Sequence, residues 1–456
     1  MSSISARIER LPFGRFHRRL LLMGGLGYTF DGLDAAVIAF ALPVVMKLWA
    51  LSSVQTGVLG SANFIGYLIG ALSAGLLGDR IGRRPVMMYA LVLYTAASLV
   101  SAFATSWTVF FWTRVVAGLG TGAESAIVAP FLAEFIARRL RGGFTGALAG
   151  FFSFGFVGAA LLGYFIVPTG PQAWRVVLAL TALPVLMLLW WRRALPESPR
   201  WLEAQGHGAA AAAVLDRMEA EADQPLPPLA AETAAAPPLA GAGRRGFAVQ
   251  LAALFSPALR RVTVMTWLMW LSITFSYYAF FTWIPTLLVQ SGMTITRSFG
   301  YSIAIYLAQI PGYYSAAWLN ERIGRQAVIA SYMVLGGAAA TALSAAHAPM
   351  QIMVAGIFLS FFMNGTYAGV YAYTPEVFPT DVRATGTGLA SAIGRIGAIA
   401  SPIIVGYTFP RAGFAGVFGM TTVVLLIGAA AVLLLGVKTL RRSLEDIARE
   451  ELTLPG

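Results

Sequence analysis

Runs of about 20 apolar residues, separated by short polar stretches in which arginine recurs, follow one another from Leu20 to Val437. A run of about that length crosses the hydrocarbon core of a bilayer as a helix. A lipid-surrounded segment has to satisfy its own backbone N–H and C=O groups, so it forms a helix or joins a closed barrel. The alternating pattern of barrel strands is missing. The pattern therefore predicts an all-α membrane protein of twelve transmembrane helices, at roughly 20–47, 54–78, 86–105, 108–137, 143–168, 173–194, 262–290, 297–319, 326–346, 349–378, 384–410 and 414–437.

Composition sharpens this picture. Of 456 residues 58% are hydrophobic and 11% charged, where soluble domains carry about a quarter charged residues. The mean hydropathy is +0.72. There are no cysteines, which excludes disulfides, thiolate nucleophiles and cysteine-ligated metals. The three histidines, His17, His207 and His347, all fall in predicted loops or tails, so neither a metal site nor a cofactor is expected. The net charge of +12 does not point to nucleic acid, because the arginines cluster at the ends of apolar runs as membrane topology requires. Arg7, Arg10, Arg15, Arg18 and Arg19 precede the first span, and no small-residue cleavage site of a signal peptide is expected there.

The connections alternate in charge. One set carries Arg80, Arg83 and Arg84, then Arg138, Arg139 and Arg141, then Arg192, Arg193 and Arg200, then Arg322 and Arg325, then Arg383; the other has only Lys47, Arg175, Arg297 and Arg411. The excess of positive charge places both termini and the central loop in the cytoplasm. An internal repeat divides the chain. Gly78-Asp79-Arg80-Ile81-Gly82-Arg83 matches Asn320-Glu321-Arg322-Ile323-Gly324-Arg325 at an offset of 321 − 79 = 242; Glu134…Arg141 recurs as Glu376…Arg383, and Pro43 as Pro285, at the same offset. Three landmarks sharing one offset argue for duplication of a six-helix unit. The expected organisation is a first half over 1–195, a cytoplasmic linker with short helices over 196–260, a second half over 261–437 and a cytoplasmic tail over 438–456.

These residues resemble the major facilitator superfamily along nearly the whole chain. GDRIGRRP (78–85) resembles its signature between spans two and three, and Arg114 with Gly118, Gly120 and Gly122 its fourth-span motif. PESPRWL (196–202) and PEVFPTDVRATGTG (375–388) resemble the sugar-porter and organic-ion branches. Asp31-Gly32-Leu33-Asp34 resembles the DGxD signature of aromatic-acid/proton symporters, and Arg395 in SAIGRIGAIASP the span-eleven arginine of organic anion transporters. Among the branches, the chain resembles bacterial niacin transporters most. The glycine string of span four is not preceded by a strand, so it reads as close helix packing rather than nucleotide binding.

Two groups of charges carry the expected mechanism. At the cytoplasmic loops, Asp79, Arg83, Glu134 and Arg141 in one half and Glu321, Arg325, Glu376 and Arg383 in the other are expected to form ion pairs that make and break as a gate. Within the membrane, where ionisable groups are costly and default to functional hypotheses, stand Asp31, Asp34, Arg114, Glu124 and Arg395. Asp31 lies 12 residues after Arg19 and Arg395 lies 12 after Arg383, each about 18 Å along a helix. Glu124 lies 10 residues before Glu134, about 15 Å, so the three share one level. The resemblance to sugar porters implies a proton-coupling pair between Asp34 and Arg114. Asp31 and Glu124 add two further carboxylates, any of which is a candidate proton carrier. Arg395 offers a planar fork for a substrate carboxylate. Tyr278, Gln309, Asn364 and Tyr371, on spans rich in aromatic rings, are candidates for contact with a flat ligand.

The resulting expectation is a transporter and not an enzyme: a proton-coupled symporter in the bacterial inner membrane. It would import a small aromatic or heteroaromatic monocarboxylate, such as nicotinate or a benzoate-like acid, as a monomer in contact with lipid. A sugar or polyol symporter, supported by PESPR and the Asp34/Arg114 pair, and an organic cation or drug exporter remain alternatives.

Overall fold

The computed structural model describes residues 4–228, 247–379 and 382–440, with the side chains of Leu76, Asp79 and Phe247 left aside. The described chain is helical throughout. A short helix α1 (Ile4–Glu9) precedes the first-half spans α2 (Arg15–Leu48), α3 (Ser53–Ile81), α4 (Arg83–Ala102), α5 (Trp107–Ala133) and α6 (Arg138–Ile166). The sixth span is made of α7 (Ala173–Leu180) and α8 (Met187–Ala194), joined through a 3-10 turn at Leu183–Leu186. Short helices α9 (Pro199–Ala204), α10 (Gly208–Ala220) and α11 (Phe247–Leu254) lie between the halves in sequence. The second half holds α12 (Arg260–Gln290), α13 (Ile295–Leu307), α14 (Gln309–Ile323), α15 (Arg325–Ser344), α16 (Pro349–Glu376) and α17 (Arg383–Leu435).

Ten described helices are long and apolar enough to cross a membrane. Two differences reconcile this with the twelve predicted runs. Spans eleven and twelve merge into α17, which turns at Gly413, where φ is +61°. Span eight is interrupted after Leu307. Pro311 explains the interruption: it has no N–H for the Leu307 carbonyl, and its ring crowds that oxygen.

Two compact units emerge. Unit one draws on the described residues within Met1–Ala35, Ile65–Gly158 and Arg175–Gly243; unit two draws on those within Ala36–Phe64, Ala159–Trp174 and Arg244–Gly456. In unit one, small residues let helices touch at backbone distance. A Cβ at Gly66 would collide with the Val115 carbonyl, one at Gly122 with that of Tyr67, and one at Gly120 would stand 2.7 Å from the Ala90 carbonyl oxygen. In unit two, the hairpin joining α2 to α3 packs on second-half helices. Phe40 sits edge-on to Phe299 and Tyr306 at 5.0 and 5.6 Å, Ser61 donates to the Ile399 carbonyl at 2.6 Å, and Gly57 lies against the Pro402 carbonyl.

The N-terminal arginines have partners beyond topology. Arg7 pairs with Asp216 and Glu219, Arg10 with Glu219, Arg15 and Arg18 with Asp223, and Arg19 with Glu221. These contacts fasten α1 and the start of α2 to α10, and Ile4, Ile8 and Leu11 share a buried core with Ala211, Leu215 and Met218. The expectation that all three histidines lie in loops or tails is corrected at His17. Helix α2 begins at Arg15, before the apolar run, and so carries His17 into the core, 2% exposed. Its Nδ1 accepts from the Gly14 N–H, leaving Nε2–H to donate to the Phe135 carbonyl at 3.2 Å.

Candidate functional site

In unit one the charged residues of α2 and α5 meet inside the bundle, beside Ser98 of α4. Arg114 and Asp34 are both wholly buried. Arg114 Nη1 donates to Asp34 Oδ1 at 3.0 Å and Nη2 to Oδ2 at 2.8 Å, and Nη2 also donates to the Asp34 carbonyl at 3.0 Å. Ser98 of α4 donates to Oδ1 at 2.7 Å. A two-pronged pair of this kind is strong and directional, and it adds no net charge to the interior.

Asp31, one turn earlier on α2, is 2% exposed. Its Oδ2 accepts from Ser125 Oγ at 2.8 Å, and its Oδ1 has no hydrogen-bond partner among the described residues. Glu124 is wholly buried, and neither of its carboxyl oxygens has a partner among the described residues. It faces Gly27 of α2, where a Cβ would come within 2.9 Å of Oε1 and 3.4 Å of the Trp191 ring. No lysine or arginine forms an ion pair with Asp31 or Glu124 among the described residues; the guanidinium of this interior is committed to Asp34.

The loop motifs form one cluster in each unit. In unit one Arg83 pairs with Glu134, which also accepts from Ser198 Oγ, while Arg141 Nε donates to the Ile136 carbonyl at 3.0 Å. In unit two Arg325 bridges Glu321 at 2.8 Å and Glu376 at 3.1 Å, while Arg383 Nε donates to the Phe378 carbonyl at 3.2 Å. The side chain of Asp79 lies outside the described residues. Each cluster sits beside a turn glycine in the left-handed region, Gly82 at φ +96° and Gly324 at φ +92°. Only glycine adopts that conformation without strain.

Sequence reading missed the role of PESPR here. Glu197 accepts from the Ser198 N–H at 2.8 Å and from the Arg84 N–H at 3.2 Å, so it caps the start of α4. Burial pushes its carboxyl above the ordinary carboxylate value, and the backbone N–H groups oppose that.

Unit two carries rings and amides. Tyr277 donates to Gln309 Oε1 at 2.8 Å, at the break in span eight, and Asn364 Nδ2 donates to the Gln309 carbonyl at 2.7 Å. Gln309 Nε2 is buried with no partner among the described residues. Tyr371, 47% exposed, stacks on Tyr367 at 5.9 Å and meets Trp270 edge-on at 5.2 Å. Trp270 Nε1 donates to Thr374 at 2.9 Å. Tyr278 is buried 4.2 Å from the Phe64 ring.

Arg395 of α17 is half-buried and within electrostatic reach of Tyr367. Its neighbour Gly394 lets α17 approach α12 closely: a Cβ there would stand 2.8 Å from Thr274 Oγ1 and 3.1 Å from the Trp270 ring. The structure thus brings Arg395 within reach of Tyr367, whose ring stacks on Tyr371 beside Trp270. Tyr277 joins Gln309 and Asn364 to the same group, its ring edge-on to Tyr367 at 5.1 Å.

A model of the sugar (and other) transporter family matches residues 20–450. Over 443 residues the chain is 38% identical to the niacin transporter NiaP of Acinetobacter baylyi, covering 97% of this chain and 99% of that relative. It is 33% identical over 429 residues to the putative niacin/nicotinamide transporter NiaP of Bacillus subtilis, covering 94% and 98%. The fold is similar to that of the xylose transporter XylE from E. coli in a partially occluded inward open conformation. That match has a TM-score of 0.72 at 18% identity over 94% of this chain and 99% of that one, and at this identity it speaks for the fold alone.

Proposed function

From the premise that this chain belongs to the sugar (and other) transporter family, and is therefore a multi-pass membrane carrier and not an enzyme, we propose that it is a proton-coupled symporter. It imports a small aromatic or heteroaromatic monocarboxylate, of which nicotinate is the first candidate, across a bacterial inner membrane. The observation that carries the substrate class is Arg395 within electrostatic reach of Tyr367, whose ring stacks on Tyr371 beside Trp270. A guanidinium matches the two oxygens of a carboxylate, and ring faces and edges suit a flat ring bearing it. The 38% identity to a niacin transporter supports the same class.

The unit-one carboxyls supply the coupling. Asp31 and Glu124 take protons from the outer face as the anion binds, and release them when the site is exposed to the cytoplasm. The clusters around Arg83–Glu134 and Arg325–Glu376 act as the cytoplasmic gate, with both termini on that side.

Proteoliposomes holding the full chain test the reading. With the outside more acidic, labelled nicotinate is expected to accumulate, a protonophore to abolish accumulation, and Arg395→Ala to weaken nicotinate binding at least tenfold. Full nicotinate affinity in Arg395→Ala, or uptake indifferent to the protonophore, overturns it.

A further inference from the structure

The interior of unit one does not treat its three carboxyls alike. Asp34 is matched by Arg114 through two parallel hydrogen bonds, with a third from Ser98, and both partners are wholly buried. That pair is electrically complete. Asp31 and Glu124 have no counter-charge among the described residues. Around Asp31 stand Ser125 of α5 and, one turn along α2, the committed Asp34. Around Glu124 stand Gly27 of α2, the Trp191 ring of α8, Asp31, and Tyr94 of α4, whose hydroxyl also lacks a partner among the described residues. None of these neighbours is a cation. An ionised carboxylate in such surroundings carries a large desolvation cost, which a bound proton removes.

We propose that the carrier moves two protons with each monocarboxylate anion, one on Asp31 and one on Glu124, while Asp34–Arg114 remains a neutral pair throughout. This inference rests on the symport reading above and adds its stoichiometry. The balance is simple. Two protons pass from external water to the two carboxylates, the anion enters with them, and both protons leave to internal water as the carboxylates regain solvent. Each cycle carries one net positive charge inward. Ser125 offers the link to water: its hydroxyl binds Asp31 Oδ2 while its residue is only partly buried, and its carbonyl accepts from Tyr28. A single proton carried on Asp34 would instead need the Arg114 fork to open and leave a guanidinium alone in the core.

The test separates electrical from chemical driving force. Full-length protein in proteoliposomes, with equal pH on both sides and an inside-negative potassium diffusion potential of about 60 mV, is expected to accumulate nicotinate about tenfold at equilibrium, since that potential is worth about a factor of ten per net charge. Glu124→Gln keeps the shape of the neutral acid and removes one proton, so its transport becomes electroneutral. The potential then produces no accumulation, while a pH difference of about one unit still gives about tenfold. Asp31→Asn is expected to do the same. Wild-type accumulation driven by pH but indifferent to potential overturns the two-proton assignment and leaves the symport reading standing. An undiminished response to potential in Glu124→Gln also overturns it. A wild type that accumulates no nicotinate under either gradient removes the symport reading itself.

Discussion

The two halves of this carrier agree at the arginine-bearing loops and part company inside. At the loops the offset of 325 − 83 = 242 carries Arg83 to Arg325, Glu134 to Glu376, Arg141 to Arg383 and Gly82 to Gly324. The bonds follow the residues: each first arginine holds its glutamate, and each last arginine reaches the carbonyl five residues before it. Inside, the same offset takes Asp31, Asp34, Arg114 and Glu124 to Ile273, Ser276, Gly356 and Thr366, and takes Arg395 back to Ser153. The loop ion pairs thus recur in both halves. The interiors differ, with acids and their one matched arginine in unit one and rings, amides and a separate arginine in unit two. The proposed gate asks the same task of both halves, whereas the proposed proton and anion sites ask for opposite charges.

The comparison breaks most visibly at Arg114. Arg114→Ala strands the Asp34 carboxyl in a dry interior, a loss of about 3–5 kcal/mol where a buried pair is cut on one side. A fall of the melting temperature in detergent is expected, with substantial recovery in Asp34→Asn/Arg114→Gln. A melting temperature unchanged by Arg114→Ala would show that the pair does not hold the bundle.

The turn glycines sharpen it further. Gly82→Ala and Gly324→Ala each force an alanine into a positive-φ, extended-ψ conformation that is essentially confined to glycine, at a cost of about 1–3 kcal/mol, so both should destabilise. Gly82 should be the worse, because its new Cβ lies 2.5 Å from Glu197 Oε2 while that of Gly324 meets the Leu440 side chain at 3.2 Å. Equal melting temperatures would show that Glu197 yields freely.

The smallest effect is at the N-terminus, where Arg7, Arg10, Arg15, Arg18 and Arg19 fasten the first half through acid-arginine pairs. Arg7 holds the Glu219 carboxyl below its ordinary value. A depressed carboxylate contributes stability that is complete above that ordinary value and is lost as pH falls through the depressed one. Helix α1 should therefore show lower amide protection, measured against the intrinsic exchange rate at each pH, at about pH 3 than at pH 7. Glu219→Gln should already show the lowered protection at pH 7. The pairs are partly solvated, so the effect is below about 1 kcal/mol.

Most of the fold was legible because a bilayer demands long apolar runs and the arginine loops mark their ends. Pro311 was in plain view as the reason for the broken span; a run of apolar residues masks it. Rise per residue placed Asp31 and Glu124 at one level, and Ser125, next to Glu124, does bond Asp31. The serines themselves were not legible. Ser98 and Ser125 matter through the rotation of α4 and α5, which sequence spacing alone does not fix when helices are apolar all round. Glu197 escaped for another reason: within PESPR it looks like a family mark, and its work as a cap depends on a chain 113 residues away in sequence.

The Asp34–Arg114 pair also bears on how the protein is made. Charged residues at the middle of a nascent helix oppose its release from the translocon by about 2.5–3.5 kcal/mol apiece, and α2 brings two of them. The guanidinium that matches Asp34 arrives only with α5, after two more helices have been synthesised. The leading helix is therefore a poor anchor by itself, and its residence in the bilayer becomes secure when the fourth span emerges. Biogenesis, not only transport, gives this chain a reason to keep its first and fourth spans matched.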